Sequence, residues 1–162
     1  MMSIQDQTAA DRDAIRQLMI RYNMAGDRGK VAELAQVFAE DGVIRFNDEA
    51  TQGREAIARR LGGGVASPGL VVTRHHLTTS LIEVHGDAAT GRTYFQVLTN
   101  IGPDHHGVYV DRFARIDDTW LIVYREVRID WQVENSVFPP LHVRGVAPAG
   151  RSATDDAAAK IA

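Results

Sequence analysis

Apolar positions recur at helical spacing in the first third of the chain and alternate with polar ones after residue 70, so a helical opening is followed by a β-rich body. Thr8-Ala-Ala-Asp11 fits a capping box, and Ile15, Leu18, Met19 and Tyr22 follow on one stripe, predicting a first helix through about Met24 with Gly26 at its end. Val31, Leu34, Ala35 and Phe38 repeat the spacing and predict a second, shorter helix that stops at Asp41-Gly42. Residues 43–47 read as a short strand. Residues 53–61 read as a third helix with Ile57 and Leu61 inward, closed by a flexible Gly62-Gly63-Gly64. Four β-rich runs follow, at 71–84, 88–99, 107–116 and 120–131, with turns at His85-Gly86-Asp87, Gly102-Pro103-Asp104 and Asp117-Asp118. Helices first and an antiparallel meander second predict an α+β fold, with helices covering one face of a curved sheet. From about Glu134 the chain is rich in Pro, Gly, Ala and Ser, so residues 143–162 are expected to be a partly disordered tail.

At 162 residues the chain is expected to form one domain with one site. Its 44% hydrophobic and 24% charged residues are ordinary for a globular protein, and a net charge of −3 gives no basic footprint for nucleic acid. With no cysteine, thiolate nucleophiles, disulfides and iron–sulfur clusters are excluded. The opening residues do not resemble a secretory signal, and no apolar run approaches the ~20 residues of a membrane span. A cytoplasmic protein without membrane or nucleic-acid partners is the expectation.

Candidate chemistry lies where polar residues interrupt apolar rows. His75 has Val71 and Leu77 as its strand-mates, which suggests either a core histidine satisfied by the backbone or a functional imidazole. Arg125 stands in the row Leu121, Val123, Arg125, Val127, Ile129, Trp131, where it must pair with an acid such as Asp111 or Glu40, or hold an anion in a pocket. Asp111 falls between Tyr109 and Phe113, which suggests a structural role. Tyr22 ends the first helix's apolar stripe, where a buried phenol needs a partner and can act as an orienting donor. Asp27 lies about 140° from Tyr22 on an unbroken helix. It turns inward if the helix ends at Gly26, and shares a second face with Ile20 and Asn23 if it continues. Walker, G-x-S-x-G and H-E-x-x-H motifs are absent, and His75-His76 and His105-His106 are adjacent pairs that point to opposite faces, so no metal site is expected.

Tyr22 with Asp27, Phe38-Ala-Glu-Asp-Gly42, Gly53-Arg-Glu-Ala-Ile57, Arg74-His-His-Leu-Thr78, and Gly107-Val-Tyr-Val-Asp111 followed by Trp120 and Arg125 together resemble the nuclear-transport-factor-2-like superfamily, over roughly residues 8–132. Within it the chain resembles the SnoaL-like group of scytalone-dehydratase-like, bile-acid-dehydratase-like and dehydrochlorinase-like enzymes. That resemblance implies a cone-shaped antiparallel sheet wrapped on about three N-terminal helices around one pocket, with the domain over 1–132. An extension over 133–162 would be partly disordered or would cover the pocket or a neighbouring subunit. It also implies an Asp27–His75 pair in which His75 abstracts a proton, a substrate donor at Tyr22, and Arg125 beside a leaving or developing anion. Asn23, Ile44, Asp111 and Trp131 become candidate pocket residues. Asn23 stands where the scytalone dehydratase has an aspartate, and Ile44 near a pocket tryptophan of the dehydrochlorinase, so neither enzyme's substrate carries over.

The function implied is a cofactor-independent lyase or isomerase acting on a small, lipophilic, cyclic metabolite, with elimination of water as the first choice. A non-catalytic small-molecule-binding or subunit-like module, and an epoxide hydrolase, are the alternatives. A homo-oligomer is expected, with a trimer favoured over a dimer.

Overall fold

The computed structural model describes residues 4–62 and 69–144 of the chain. Gly63 and Gly64 of the expected glycine connection, and most of the expected tail, therefore lie outside the described residues.

The first helix, α1 (Ile4–Asp27), buries the stripe Ile15, Leu18, Met19 and Tyr22 that the spacing predicts, and Ala25 beyond it. It runs past Gly26 because its cap lies further on. Gly29 takes a φ of +67°, and Lys30 N donates to the Ala25 carbonyl at 2.8 Å while Gly29 N donates to that of Gly26 at 2.9 Å, a Schellman closure. Gly26 serves packing instead: a Cβ there would stand 3.3 Å from Leu34 Cδ1 of the second helix. That helix, α2 (Val31–Ala35), is shorter than expected, since Phe38 already belongs to β1 (Phe38–Phe46). A second strand, β2 (Glu49–Gln52), which the sequence pattern does not predict, precedes α3 (Arg54–Gly62). The long strands are β3 (Thr73–His85), β4 (Ala88–Thr99), β5 (Gly102–Ile116) and β6 (Thr119–Gln132). The expected turn at Gly102-Pro103-Asp104 is thus the start of β5, whereas Asp117 and Asp118, both at positive φ, make a tight turn between β5 and β6.

The six strands lie in the order β2-β1-β6-β5-β4-β3. The four-strand meander is antiparallel as expected, but β1 pairs with β6 in parallel, so the sheet is mixed. The α+β reading holds: the helices pack on one face, with α1 lying along β3 and α2 between α1 and α3. The core between the layers is built from residues such as Ile15, Met19, Phe38, Ile44, Phe113 and Ile122. Among the described residues no helix is long and apolar enough to cross a membrane.

Strand β6 departs from simple alternation. Its ladder with β5 slips between Arg112 and Phe113 and again between His106 and Gly107. Each slip inserts a residue and reverses which parity faces the core. Trp120 and Ile122 are buried, then Arg125, Val127 and Ile129, while Trp131 is 41% exposed and stacks on His106 at 5.6 Å between centroids. The single row expected from Leu121 to Trp131 is therefore broken at both ends.

Candidate active site

α1 and β3 run side by side in opposite directions, since Asp27 meets His75 at one end and Arg12 Nε donates to the Ile82 carbonyl at the other. Asp27 receives two hydrogen bonds from one residue. The backbone N–H of His75 donates to Oδ2 at 3.0 Å, and ring Nδ1 lies 2.5 Å from Oδ1. Burial works against the Asp27 charge, but these bonds from His75 outweigh it and hold the carboxyl below the usual range. An ionised carboxylate accepts only, so Nδ1 carries the proton, and in a neutral imidazole Nε2 is then the acceptor that faces away from Asp27. Asp27 is only 10% exposed and His75 23%, which limits solvent competition at the pair.

The pair opens on a groove of about 450 Å³ between α1 and the edge strand β3. Met19, Ile20, Asn23, Met24 and Asp27 line it from the helix, and His75, Leu77 and Ser80 from the strand. Asp27 thus shares the face of Ile20 and Asn23, the outcome expected for a helix that continues past Gly26. Thr93 Oγ1 and Ser80 Oγ lie 2.7 Å apart in the groove, with Thr93 also donating to Met19 Sδ at 3.9 Å. Asn23 is fixed on both ends of its amide: Nδ2 donates to the Met19 carbonyl at 3.0 Å and Oδ1 accepts from Tyr109 Oη at 3.2 Å.

The other expected residues gather behind this wall. Arg125 is fully buried and its Nε and Nη2 both donate to Asp111, each at 2.8 Å, so of the partners considered it is Asp111 that takes the charge. The guanidinium is sandwiched between the rings of Tyr22 and Tyr109, each 4.2 Å from its centre. Burial alone would depress Arg125, but the Asp111 carboxylate raises it above its ordinary value and keeps it charged. Burial pushes the Tyr22 phenol up. Neither Tyr22 nor Arg125 is among the residues that line this groove: Tyr22 packs in the core and Arg125 makes a bidentate ion pair with Asp111. Ile44 is fully buried on β1 opposite Arg125 in register, and Trp131 lies on the exposed side. Of the candidate pocket residues, Asn23 alone lines the groove.

A residue missed by the sequence reading is His105. Val97 pairs with His75 on one side and His105 on the other, so the two imidazoles share a cross-strand row. Phe95 touches both rings, at 6.3 and 6.4 Å between centroids. Asp104 is the extra residue of a β-bulge facing Val97 and Leu98, and this re-aims its carboxylate inward. There it is fully buried and accepts from His105 Nδ1 (2.8 Å), Ser136 Oγ (2.8 Å) and Val137 N (3.1 Å). Burial lowers His105 below its usual value despite Asp104. The segment that follows β6 is thereby pinned across the end of the sheet, with Phe138 edge-on to His105 at 5.1 Å. The signal for His105 was present: stepping back by twos from Asp111 and Tyr109 leads through Gly107 to it. Among the described residues no group of three or more His, Asp or Glu is placed to hold a metal.

The SnoaL-like domain family matches residues 7–126. Among solved structures, Rv3472 of Mycobacterium tuberculosis, a protein of unknown function, is 31% identical, with 85% of this chain and 82% of that one covered and a TM-score of 0.71. A protein of Catenulispora acidiphila in complex with S-DNPA is also 31% identical, covering 75% of this chain and 95% of that one, with a TM-score of 0.67. A putative scytalone dehydratase of Novosphingobium aromaticivorans is 24% identical, covering 93% and 100%, with a TM-score of 0.73, and shares the fold. Comparison with curated proteins found no match.

Proposed function

The chain belongs to the SnoaL-like domain family, and from that premise we propose that it is a cofactor-independent lyase of the dehydratase type, acting on a small lipophilic, cyclic metabolite with His75 as its general base. The observation that carries this reading is the two-point attachment of His75 to Asp27 beside a groove of ligand size. Fixing both the backbone and Nδ1 of one histidine on one carboxylate sets the tautomer and leaves Nε2 free to take a proton.

In the elimination, Nε2 removes a proton from a carbon next to one that bears a hydroxyl. The C–H electron pair becomes the new C=C bond, and the C–O bond breaks. The imidazolium, stabilised by the Asp27 carboxylate, returns the proton to the departing oxygen, so that water leaves and His75 is neutral again. Isomerisation uses the same first step and returns the proton to a different carbon. Met19, Ile20, Met24 and Leu77 supply an apolar bed. Arg125, Asp111 and Tyr22 act through position: the ion pair and its two aromatic covers tie β5 and β6 to α1, and Tyr109 holds Asn23 in the groove wall.

A non-catalytic binding module remains the second reading, and the groove together with the ligand-bound relative supports it equally. A homo-oligomer belongs to either reading, supported by exposed Leu81, Tyr94 and Trp131 on the sheet. A screen of hydroxylated and halogenated cyclic compounds for elimination separates the two readings. Turnover that His75→Ala and Asp27→Asn abolish supports the lyase; turnover indifferent to both substitutions, or ligand binding without turnover, contradicts it.

A further inference from the structure

The groove that holds the dyad has a second chemically distinct end. Arg16 lies on the same helical face as Ile20, Asn23 and Asp27, at steps of four, seven and eleven residues. Eleven residues of helix separate Arg16 from Asp27 by about 16 Å. The antiparallel course of α1 along β3 places Arg16 towards the Ser80 to Ile82 end, since Met19 meets Thr93, the hydrogen-bond partner of Ser80, while Arg12 reaches the Ile82 carbonyl. Among the groove's lining residues Arg16 is the only permanent cation, and it makes no hydrogen bond or ion pair with any described residue. The other full charge in the lining, Asp27, is committed to His75. Between the two ends the surface is largely apolar, with Ile20 and Met24 exposed to it at 41% and 59%.

We propose that the substrate is an elongated apolar acid, whose carboxylate or equivalent anion is held by Arg16 while its reacting carbon lies at His75. An exposed methionine and isoleucine beside a lone guanidinium suit a body that is apolar along its length and anionic at one tip, and a guanidinium donates two parallel hydrogen bonds to a carboxylate. A neutral molecule of the same shape would leave Arg16 without a partner. The proposal rests on the groove being the substrate site, and it adds the class of molecule the groove selects.

The test uses the full-length protein and a matched pair of probes, 6-phenylhexanoate and 6-phenylhexan-1-ol, with dissociation constants measured by NMR titration. The expected result is that the wild type binds the acid on the order of tenfold more tightly than the alcohol, as for one charge-assisted contact in a half-open site. Arg16→Gln should erase the preference and Arg16→Lys should retain part of it, with unchanged melting temperatures because Arg16 is exposed. Equal affinity for acid and alcohol, no binding of the acid at millimolar concentration, or an undiminished preference in Arg16→Gln would each overturn the proposal. His75→Gln separates it from the catalytic reading. A preserved acid preference with turnover unaffected by that change sinks only the lyase, and a lost preference with turnover dependent on His75 sinks only the anion site.

Discussion

Replacing Asp27 by asparagine tests the dyad without emptying space. In the native pair, Asp27 offers one oxygen to the His75 backbone N–H at 3.0 Å and the other to ring Nδ1 at 2.5 Å. Asparagine has one oxygen and one NH2 group, so it can accept only one of these bonds. The backbone N–H is a fixed donor, whereas the imidazole can change tautomer at small cost. The amide oxygen therefore takes the backbone bond, and the NH2 donates to Nδ1. The proton then moves to Nε2, and the lone pair that faces the substrate is lost. General-base catalysis contributes on the order of 10²–10⁴-fold, so kcat should fall by about that factor. Stability should change far less, by about 1–2 kcal/mol, because both contacts are replaced and not deleted. The assay is the 15N chemical shifts of the His75 ring in the wild type and in Asp27→Asn, read beside turnover. A variant that keeps Nε2 unprotonated yet loses activity, or moves the proton to Nε2 yet keeps activity, would refute the reasoning.

Three further outcomes follow from the surrounding structure. Arg125→Met leaves Asp111 buried without its cation and should cost about 3–5 kcal/mol in chemical denaturation, while Arg125→Met with Asp111→Leu should recover much of that loss. Asp104→Ala removes acceptors from Ser136, Val137 and His105, so amide exchange across residues 133–144 should accelerate and the domain should lose about 2–4 kcal/mol. Burial lowers His105, so below about pH 6.5 the unfolded chain binds its proton more readily than the folded one, and stability falls as pH drops from that value towards the lowered folded pKa. His105→Gln should flatten that part of the pH–stability curve, and an unchanged slope would show that His105 is not its source.

Much of this arrangement was legible in the chain. Helical spacing located the buried stripe of α1, and it also stated the condition under which Asp27 would face the same way as Ile20 and Asn23. What spacing could not supply was the cap: Gly26 looks like a stop, but the left-handed residue is Gly29, and only the contact between Gly26 and Leu34 explains the earlier glycine. Nor could spacing bring residue 27 to residue 75, because that pairing depends on the antiparallel docking of α1 on β3; the resemblance supplied it. Strand parity placed His75, Asp111 and Arg125 inward correctly and failed at Trp131, because a bulge costs the sequence no visible signature yet reverses every side chain beyond it. The same kind of bulge turns Asp104 inward, which is why a residue that reads as part of a turn anchors the segment after β6. The parallel pairing of β1 with β6 was equally hidden, since it joins the first strand to the last across the rest of the chain.

The account stands or falls on whether His75 takes a proton from carbon. With a compound that the wild type converts, deuterated at the carbon that loses its hydrogen, the decisive measurement is the rate at which that deuterium is released in wild type and in His75→Gln. The account predicts a primary isotope effect in the wild type and a fall of about 10²–10⁴-fold in the variant, with its fold intact. Release of the label at the wild-type rate by His75→Gln would contradict it.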